Sequence, residues 1–508
     1  MYRILSASKD TYITNKITKN NFRSKDANVG MGSTIDLFKL YDESVSGSDS
    51  APIELSRALI KFDLSKIYSM NRLGSIDMND DSFEVKLILK DVYGGQTTPN
   101  NFKLIAFPLA KSFDEGIGRD IVTYKDVGAA NFITASYQNG QTQLWDNQGA
   151  MKSGSLGVSN IDVIVSGTLA GPDGSQYVNL SREQLFLNGE EDLSLDITKI
   201  ISGTVSGQIT DHGFLIAYSG SYEKDKFTYF VKRFGSNQSL REDIRPHLSV
   251  KFDDSIIDNH ENFIFNVSGS IFLNNFHKGT LSNILTGKNV SEVSGLNCLK
   301  LRVVSGSYSE TFNVSQHRVG EVFQNGIYSS SFAISEFDDN LKNYLKKETS
   351  ASFDLFWSSN DLSIGYFTSS MVVNKNRRTS FNGSQKRLLV VLKNLKDKYN
   401  KDSVVKVRVF IEDRDRSIVF KKSPFETRSQ VYSNMHYRVL DSQTGEIIIP
   451  FDTTKNSTIL SSDSEGMYFN LYMDGLIVGR SYKIEFLIKD LGHDELIQDV
   501  SANFTILN

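Results

Sequence analysis

The residues able to hold a metal or move a proton are scattered along this chain, not gathered. Seven histidines stand at 212, 247, 260, 277, 317, 436 and 493. No two have the three- or four-residue spacing that sets a pair of zinc ligands on one helical face. The acidic clusters Asn79-Asp80-Asp81, Glu190-Glu191-Asp192, Asp338-Asp339 and Glu412-Asp413-Arg414-Asp415 offer oxygen ligands for calcium. None has the spacing of a helix-loop-helix calcium loop, so solvated loop charge is the ordinary reading. The sign alternation from Glu412 to Arg416 is that of surface ion pairs. Asp114 and Glu115 are the nearest carboxylates for two-carboxylate glycoside hydrolysis, and they adjoin a glycine turn better explained as structure. The lone cysteine, Cys298, sits in the apolar-flanked stretch Leu296-Asn297-Cys298-Leu299-Lys300-Leu301 and reads as a small core residue. No nucleophile elbow, phosphate loop or dinucleotide fingerprint stands between a strand and a helix. The expectation is a protein without catalytic residues, cofactor or metal.

The elements that would position such residues are short strands. Val405, Val407, Val409 and Ile411 alternate with Lys406, Arg408, Phe410 and Glu412, and the same period of two runs through Phe83–Leu89, Phe469–Met473 and Tyr482–Ile488. That is the pattern of half-buried strands, and the Gly, Ser, Asn and Asp clusters between the runs are turn chemistry. Val-Ser-Gly recurs at Val45, Val165, Val205, Val267, Val293 and Val304 with irregular spacing, which suits turns or bulges after strand residues. Glu336–Lys347 and Ser181–Phe186 are the two places where a short helix is expected. The fold class is therefore mostly β.

With 508 residues the chain is long enough for about three domains. Seven prolines leave no material for Pro-rich linkers, so short connections are expected. Boundaries fall near Asp253-Asp254-Ser255 and Asn382-Gly383-Ser384, giving domains 1–253, 254–383 and 384–508. Lys plus Arg is 56 against 60 for Asp plus Glu, a net charge of -4 with no block of either sign, which argues against a nucleic-acid binder. No apolar run approaches the roughly 20 residues of a bilayer helix. The opening Met1-Tyr2-Arg3-Ile4-Leu5-Ser6 has neither a basic start nor an apolar stretch behind it, so no secretory signal is expected, and Asn-x-Ser/Thr sequences such as Asn289-Val290-Ser291, Asn313-Val314-Ser315 and Asn503-Phe504-Thr505 carry no meaning without one.

Fragments of residues 1–253 occur in a suggestive order: Asp10-Thr11-Tyr12-Ile13, Asn28-Val29-Gly30, Arg57–Ile67, Phe113-Asp114-Glu115-Gly116-Ile117-Gly118, Leu195-Asp196-Ile197-Thr198, Gly213–Ile216, Ser239–Glu242 and Arg245-Pro246-His247-Leu248. In this order they resemble the DNRLRE family of β-sandwich domains, with Phe113 where that family usually has tryptophan. The resemblance implies a jelly-roll-like sandwich similar to carbohydrate-binding modules. Gly116 and Gly118 would permit a turn with positive φ, and Pro246 would start an edge strand. A sugar platform needs exposed aromatic faces. Trp145 and Tyr137 are the candidates for glycan contact.

Towards the other end, Asp474–Phe486 is similar to the corner before a late strand in immunoglobulin-like and fibronectin-like sandwiches, with Tyr482 as the corner tyrosine. Ser442–Glu446 leading into Ile447-Ile448-Ile449 reads as a hairpin of the same sandwich. Short strands around Phe263–Phe265, Leu299–Val303 and Phe353–Trp357 suggest a further immunoglobulin-like sandwich between the two. A DNRLRE-like head before two such sandwiches resembles virion structural proteins of tailed bacteriophages, especially large marine ones. That resemblance implies a non-enzymatic component of the neck, tail or baseplate, assembled in the host cytoplasm. Its partners would be other virion proteins, repeated copies of itself or a ring-forming protein, with no nucleic acid and no membrane. The alternatives are a carbohydrate-binding module for host surface glycans and a capsid-surface decoration protein.

Overall fold

The computed structural model describes all residues except 19–21, 44–51, 73–75, 123–125, 127, 172–173, 257–262, 278–279, 287–290, 320–321, 376–386, 415–428, 464, 490–493, 499 and 501–502. The boundary drawn at Asn382-Gly383-Ser384 lies outside the described residues, as do His260, His493, Asp415 and the Val45 repeat. The chain is a mostly β, multi-domain sandwich protein. It divides into two compact units, one of Tyr2–Leu73 with Phe83–Lys251, the other of Met1, Gly74–Ser82 and Phe252–Asn508.

The first unit contains β1 (Tyr2–Thr14), β2 (Thr34–Tyr41), β3 (Ile53–Phe62), β4 (Glu84–Leu89), β5 (Phe102–Pro108), β6 (Thr134–Gln138), β7 (Gln141–Leu144), β8 (Ser153–Ser155), β9 (Val163–Gly171), β10 (Gly174–Asn179), β11 (Arg182–Phe186), β12 (Leu193–Asp196), β13 (Phe214–Tyr218), β14 (Tyr229–Gly235) and β15 (His247–Lys251). The main path of strands runs β11-β5-β13-β3-β1-β15-β4-β12, and β2 pairs with both β3 and β14. β1 changes partner midway. Tyr2–Ser6 pair with β15, and after an irregularity between Ala7 and Lys9 the rest of the strand pairs with β3. The two ends of the path are joined by a side chain: Gln184 Nε2 donates to Asp192 O at 2.7 Å, and its Oε1 accepts from Ser194 N at 2.6 Å. The amide thus stands in for one step of a backbone ladder and covers both edges.

Three local expectations are corrected here. Ser181–Phe186 forms no helix. Arg182–Phe186 is strand β11, because pairing with β5 buries Phe186 and stacks it on Phe102 at 4.9 Å, which outweighs local propensity. Pro246 precedes no edge strand, since β15 lies between β1 and β4. Gly116 does have φ +80°, but Gly118 does not share the left-handed region and is a site of close backbone approach. Helices at Ser65–Arg72 and Thr198–Val205 were not anticipated. Each is short and buries one face, Ile67 with Met70 and Ile200 with Ile201, which is too brief for a clear helical period.

The second unit holds sheets of seven, four and six strands and a two-stranded ribbon. One sheet has seven strands, β16 (Phe263–Ile264), β17 (Gly269–Asn274), β20 (Leu299–Ser305), β21 (Tyr308–Val319), β22 (Val322–Phe332), β23 (Ser350–Ser359) and β24 (Gly365–Asn374), with the small ribbon β18 (Phe276–His277) and β19 (Thr280–Leu281) beside it in sequence. Their order is β16-β24-β23-β20-β21-β22-β17. Trp357, Phe353, Leu301 and Tyr328 centre its core, and half-buried Cys298 packs against that core. Of Glu336–Lys347 only Lys342–Leu345 is helical, anchored by buried Leu345. The carboxy-terminal residues form a four-stranded and a six-stranded sheet, and Tyr437 of one stacks on Phe469 of the other at 4.2 Å. Among the Val-Ser-Gly repeats, Gly207, Gly295 and Gly306 take positive φ, whereas Gly167 lies inside a strand.

Candidate functional site

The motif fragments of the first unit meet at one point. Asp10, 1% exposed on β1, accepts a hydrogen bond from Asn237 N through Oδ2 at 2.5 Å. Its own N–H donates to Glu115 Oε1 at 3.0 Å. Beside it the buried amide of Asn28 uses its full capacity. Nδ2 donates to Glu115 O and Ala130 O, both at 2.8 Å, and Oδ1 accepts from Gly30 N at 3.1 Å and Gly118 N at 2.9 Å. Glycine is required by space here: a Cβ on Gly30 would lie 2.0 Å from Glu115 O, and one on Gly118 would lie 1.9 Å from Asn28 O. Arg245 closes the group from the other side by donating Nε and Nη2 to Ser239 O.

Burial pushes the Asp10 carboxyl up to about 7, with the Glu115 charge adding to the rise and the Asn237 amide and Arg245 opposing it. Burial raises Glu115 as well. Two carboxyls with raised values are the electrostatic signature of acid–base catalysis. Here Asp10 is closed off from solvent and its carboxyl accepts from the Asn237 amide, so the pair ties β1 to the loops that carry Asn237 and Glu115.

Other charged side chains are used in the same way. The ammonium of Lys232, 0% exposed, donates to Asp91 Oδ1 at 2.5 Å and to Gly189 O and Glu191 O at 2.8 Å, between the rings of Phe186 and Phe234. Lys39 is equally buried and clasps Asp225 and Phe227 O near the rings of Tyr41 and Tyr229. Arg57 pairs with both Glu223 oxygens and donates to Gly149 O. None of these roles follows from composition, yet the signal was present: Lys39 is in phase with buried Ile35 and Leu37, and Lys232 with buried Phe234.

The glycan candidates part company. Trp145 is 5% exposed and belongs to the core cluster that also holds Phe113, Leu59 and Leu215. Its Nε1 donates to Asn131 O at 2.9 Å, and the loop that seats it is held by buried Asp162, which accepts from the amides of Asp146, Asn147 and Lys152. Trp145 therefore presents no face to a sugar, and its nomination is corrected: indole area was worth more to the core than to the surface. Tyr137 is 53% exposed on β6, where its N–H donates to Asp114 Oδ2 at 2.8 Å. The structure does not bring the two aromatics into one platform.

Tyr482 is fully buried. Its hydroxyl accepts from Ile477 N at 2.8 Å and lies 3.4 Å from Ile477 O, five residues upstream. Tyr482→Phe would leave that amide without its partner and is expected to cost about 1–3 kcal/mol. Equilibrium denaturation of the full chain, following the carboxy-terminal transition, checks this; an unshifted midpoint would show the hydroxyl to be idle.

Among the described residues no group of three His, Cys, Asp or Glu is placed to hold a metal ion. A hollow of about 420 Å³ beside Asn400, Lys401, Asp402, Ser403 and Asn508 is lined by none of the nominated residues.

No protein-family model matches this chain, and no curated protein matches it. Solved structures similar to it include the amino-terminal Ig1-2 module of the Drosophila receptor protein tyrosine phosphatase DLAR, at 7% identity over 50% of this chain and 96% of that one, with a TM-score of 0.15. Salmonella alpha-2-macroglobulin reacted with methylamine is 8% identical over 100% of this chain and 28% of its own, with a TM-score of 0.14. The four amino-terminal Ig domains of Dscam1 isoform 6.9 are 7% identical over 98% of this chain, with a TM-score of 0.12. Likenesses of this size say nothing of function.

Proposed function

We propose that this chain is a non-enzymatic structural component of a tailed-phage particle, placed at the neck, tail or baseplate and docking through its sandwich domains. The observation that supports a structural role is the use made of its charged side chains. Asp10, Lys39, Arg57, Asp162 and Lys232 are all buried, and each is engaged by backbone groups of loops that it holds in place. The phage assignment rests on the sequence resemblance of the domain string. Capsid-surface decoration would use the same architecture at another place on the same particle. Glycan recognition now rests on Tyr137 alone, which is too little to favour it.

The test is mass spectrometry of purified particles against the lysate that produced them. The chain is expected in the particles at a fixed copy number. Its presence in lysate with absence from particles would remove the proposal.

A further inference from the structure

Asn-Gly pairs stand at Asn139, Asn188, Asn325 and Asn382. Such a pair carries its own reaction: the backbone nitrogen of the glycine can attack the Cγ carbon of the asparagine amide, and glycine has no side chain to stand in the way. Whether a given pair reacts depends on how firmly the fold holds the attacking N–H and the turn around it. Asn382-Gly383 lies outside the described residues, and the structure separates the other three.

Asn188-Gly189 and Asn325-Gly326 are pinned. Gly189 is buried, a Cβ on it would lie 1.9 Å from Pro99 O, and its carbonyl accepts from the Lys232 ammonium at 2.8 Å. Its N–H donates to the Glu191 carboxylate, which also accepts from Asn188 N at 2.9 Å. Gly326 is buried in β22, where its N–H donates to Asn283 Oδ1 at 2.8 Å and its carbonyl accepts from Asn275 N at 2.7 Å. In both pairs the attacking nitrogen is engaged in a hydrogen bond and the surrounding backbone has no room to turn.

Asn139-Gly140 is the opposite case. It forms the two-residue tip of the β6–β7 hairpin, with φ of 52° and 77°, the mirror-image turn that Asn-Gly favours. Every residue from Tyr137 to Leu144 is exposed, and a Cβ built on Gly140 meets nothing within 4 Å. Among the described residues no acceptor holds the Gly140 N–H. Attack requires the tip to swing out of its left-handed conformation. A separate two-stranded ribbon resists that weakly.

We propose that Asn139 is a site of spontaneous deamidation. Loss of the Gly140 amide proton to water or hydroxide frees the nitrogen lone pair. The N–Cγ bond then forms, the Cγ–Nδ2 bond breaks, and ammonia leaves with the proton returned to it. The five-membered imide takes up one water molecule and opens at either carbonyl, giving aspartate or isoaspartate. Both products place a carboxylate at the tip. Isoaspartate also adds one carbon to the main chain of a two-residue turn, which disturbs the Gln138↔Gln141 register. The ribbon carries Tyr137, so the change falls beside that exposed ring.

The test is timed incubation of the folded full chain in mildly alkaline buffer, alongside the same chain in denaturant. Peptide mapping by mass spectrometry, with enzymatic methylation of isoaspartate, reads each site. In denaturant the peptides holding Asn139, Asn188 and Asn325 should react at similar rates, because their chemistry is the same. In the folded chain Asn139 should convert at least about tenfold faster than either of the others, since a hairpin tip opens far more readily than a packed loop. Its rate should climb with pH, because the attacking nitrogen must first lose its proton. Asn139 left intact in the folded chain over the time in which it converts in denaturant overturns the inference, as does conversion at Asn188 or Asn325 that keeps pace with it.

Discussion

Replacing Lys232 with methionine is expected to destabilise the amino-terminal sandwich by about 3–5 kcal/mol, the usual cost of removing one partner from a buried ion pair. Methionine fills similar volume, so the effect isolates the ammonium. Without it Asp91 Oδ1, Gly189 O and Glu191 O lose a common donor in a place closed to water. The rings of Phe186 and Phe234, 5.3 and 5.0 Å from that ammonium, lose their cation as well. For a unit of this size the loss corresponds to a drop of roughly 10 °C in the first thermal transition. Lys199→Met, on the exposed surface of the same unit, is the control and should move that transition by no more than about 0.5 kcal/mol. Equal effects from the two substitutions would show that the Lys232 clasp contributes nothing special.

The second large effect depends on pH. The Asp10 carboxyl has an ordinary value of 3.8 and is pushed up to about 7 by burial. Below the lower value both folded and unfolded states hold the proton, and stability is at its full level. As pH rises from about 4 to about 7 the unfolded chain gives up the proton while the folded chain keeps it, so stability falls through this window and levels off above it. About three pH units at about 1.4 kcal/mol each give roughly 4 kcal/mol lost between acid and mildly alkaline conditions. Asp10→Asn stays neutral throughout and retains an oxygen to accept from Asn237 N–H. The variant should therefore match the parent near pH 3.5 and exceed it above pH 7, with most of the pH slope gone. Urea denaturation of both proteins at several pH values measures this directly. Identical slopes in the two would mean that Asp10 ionises freely in the folded state.

The mostly β class was legible because period-two alternation survives in nearly every strand that has one face on a core. Tyr482 and the Asp441 turn before Ile447–Ile449 were legible because corners and hairpins depend on neighbours in sequence. What depended on distant neighbours was not. Arg182–Phe186 looked helical until β5 supplied its ladder, and Trp145 looked available until Asn131 and the cluster around Phe113 took it in. The scattered fragments at Asp10, Asn28, Glu115 and Arg245 were visible one by one. Their union was not, because the contacts that join them span up to 227 residues. Lys39 and Lys232 show the same limit in reverse: the alternation placed them inward, but a charge inward makes sense only when its carbonyl partners are known.

β1 spans both halves of the main strand path, and this sets a timetable for synthesis. Tyr2 pairs with Lys251 and Ser6 with His247, so β1 leaves the ribosome well before the strand that its opening residues need for their hydrogen bonds. At about 5–20 residues per second the wait is roughly 12–50 s. During that time the apolar positions Tyr2, Ile4 and Leu5 have no native strand beside them, and the second half of β1, whose partner β3 ends at Phe62, can settle much earlier. The first half of β1 is thus the segment of this unit that waits longest for its partner, and translation rate between β1 and residue 251 becomes a determinant of how much of the unit folds.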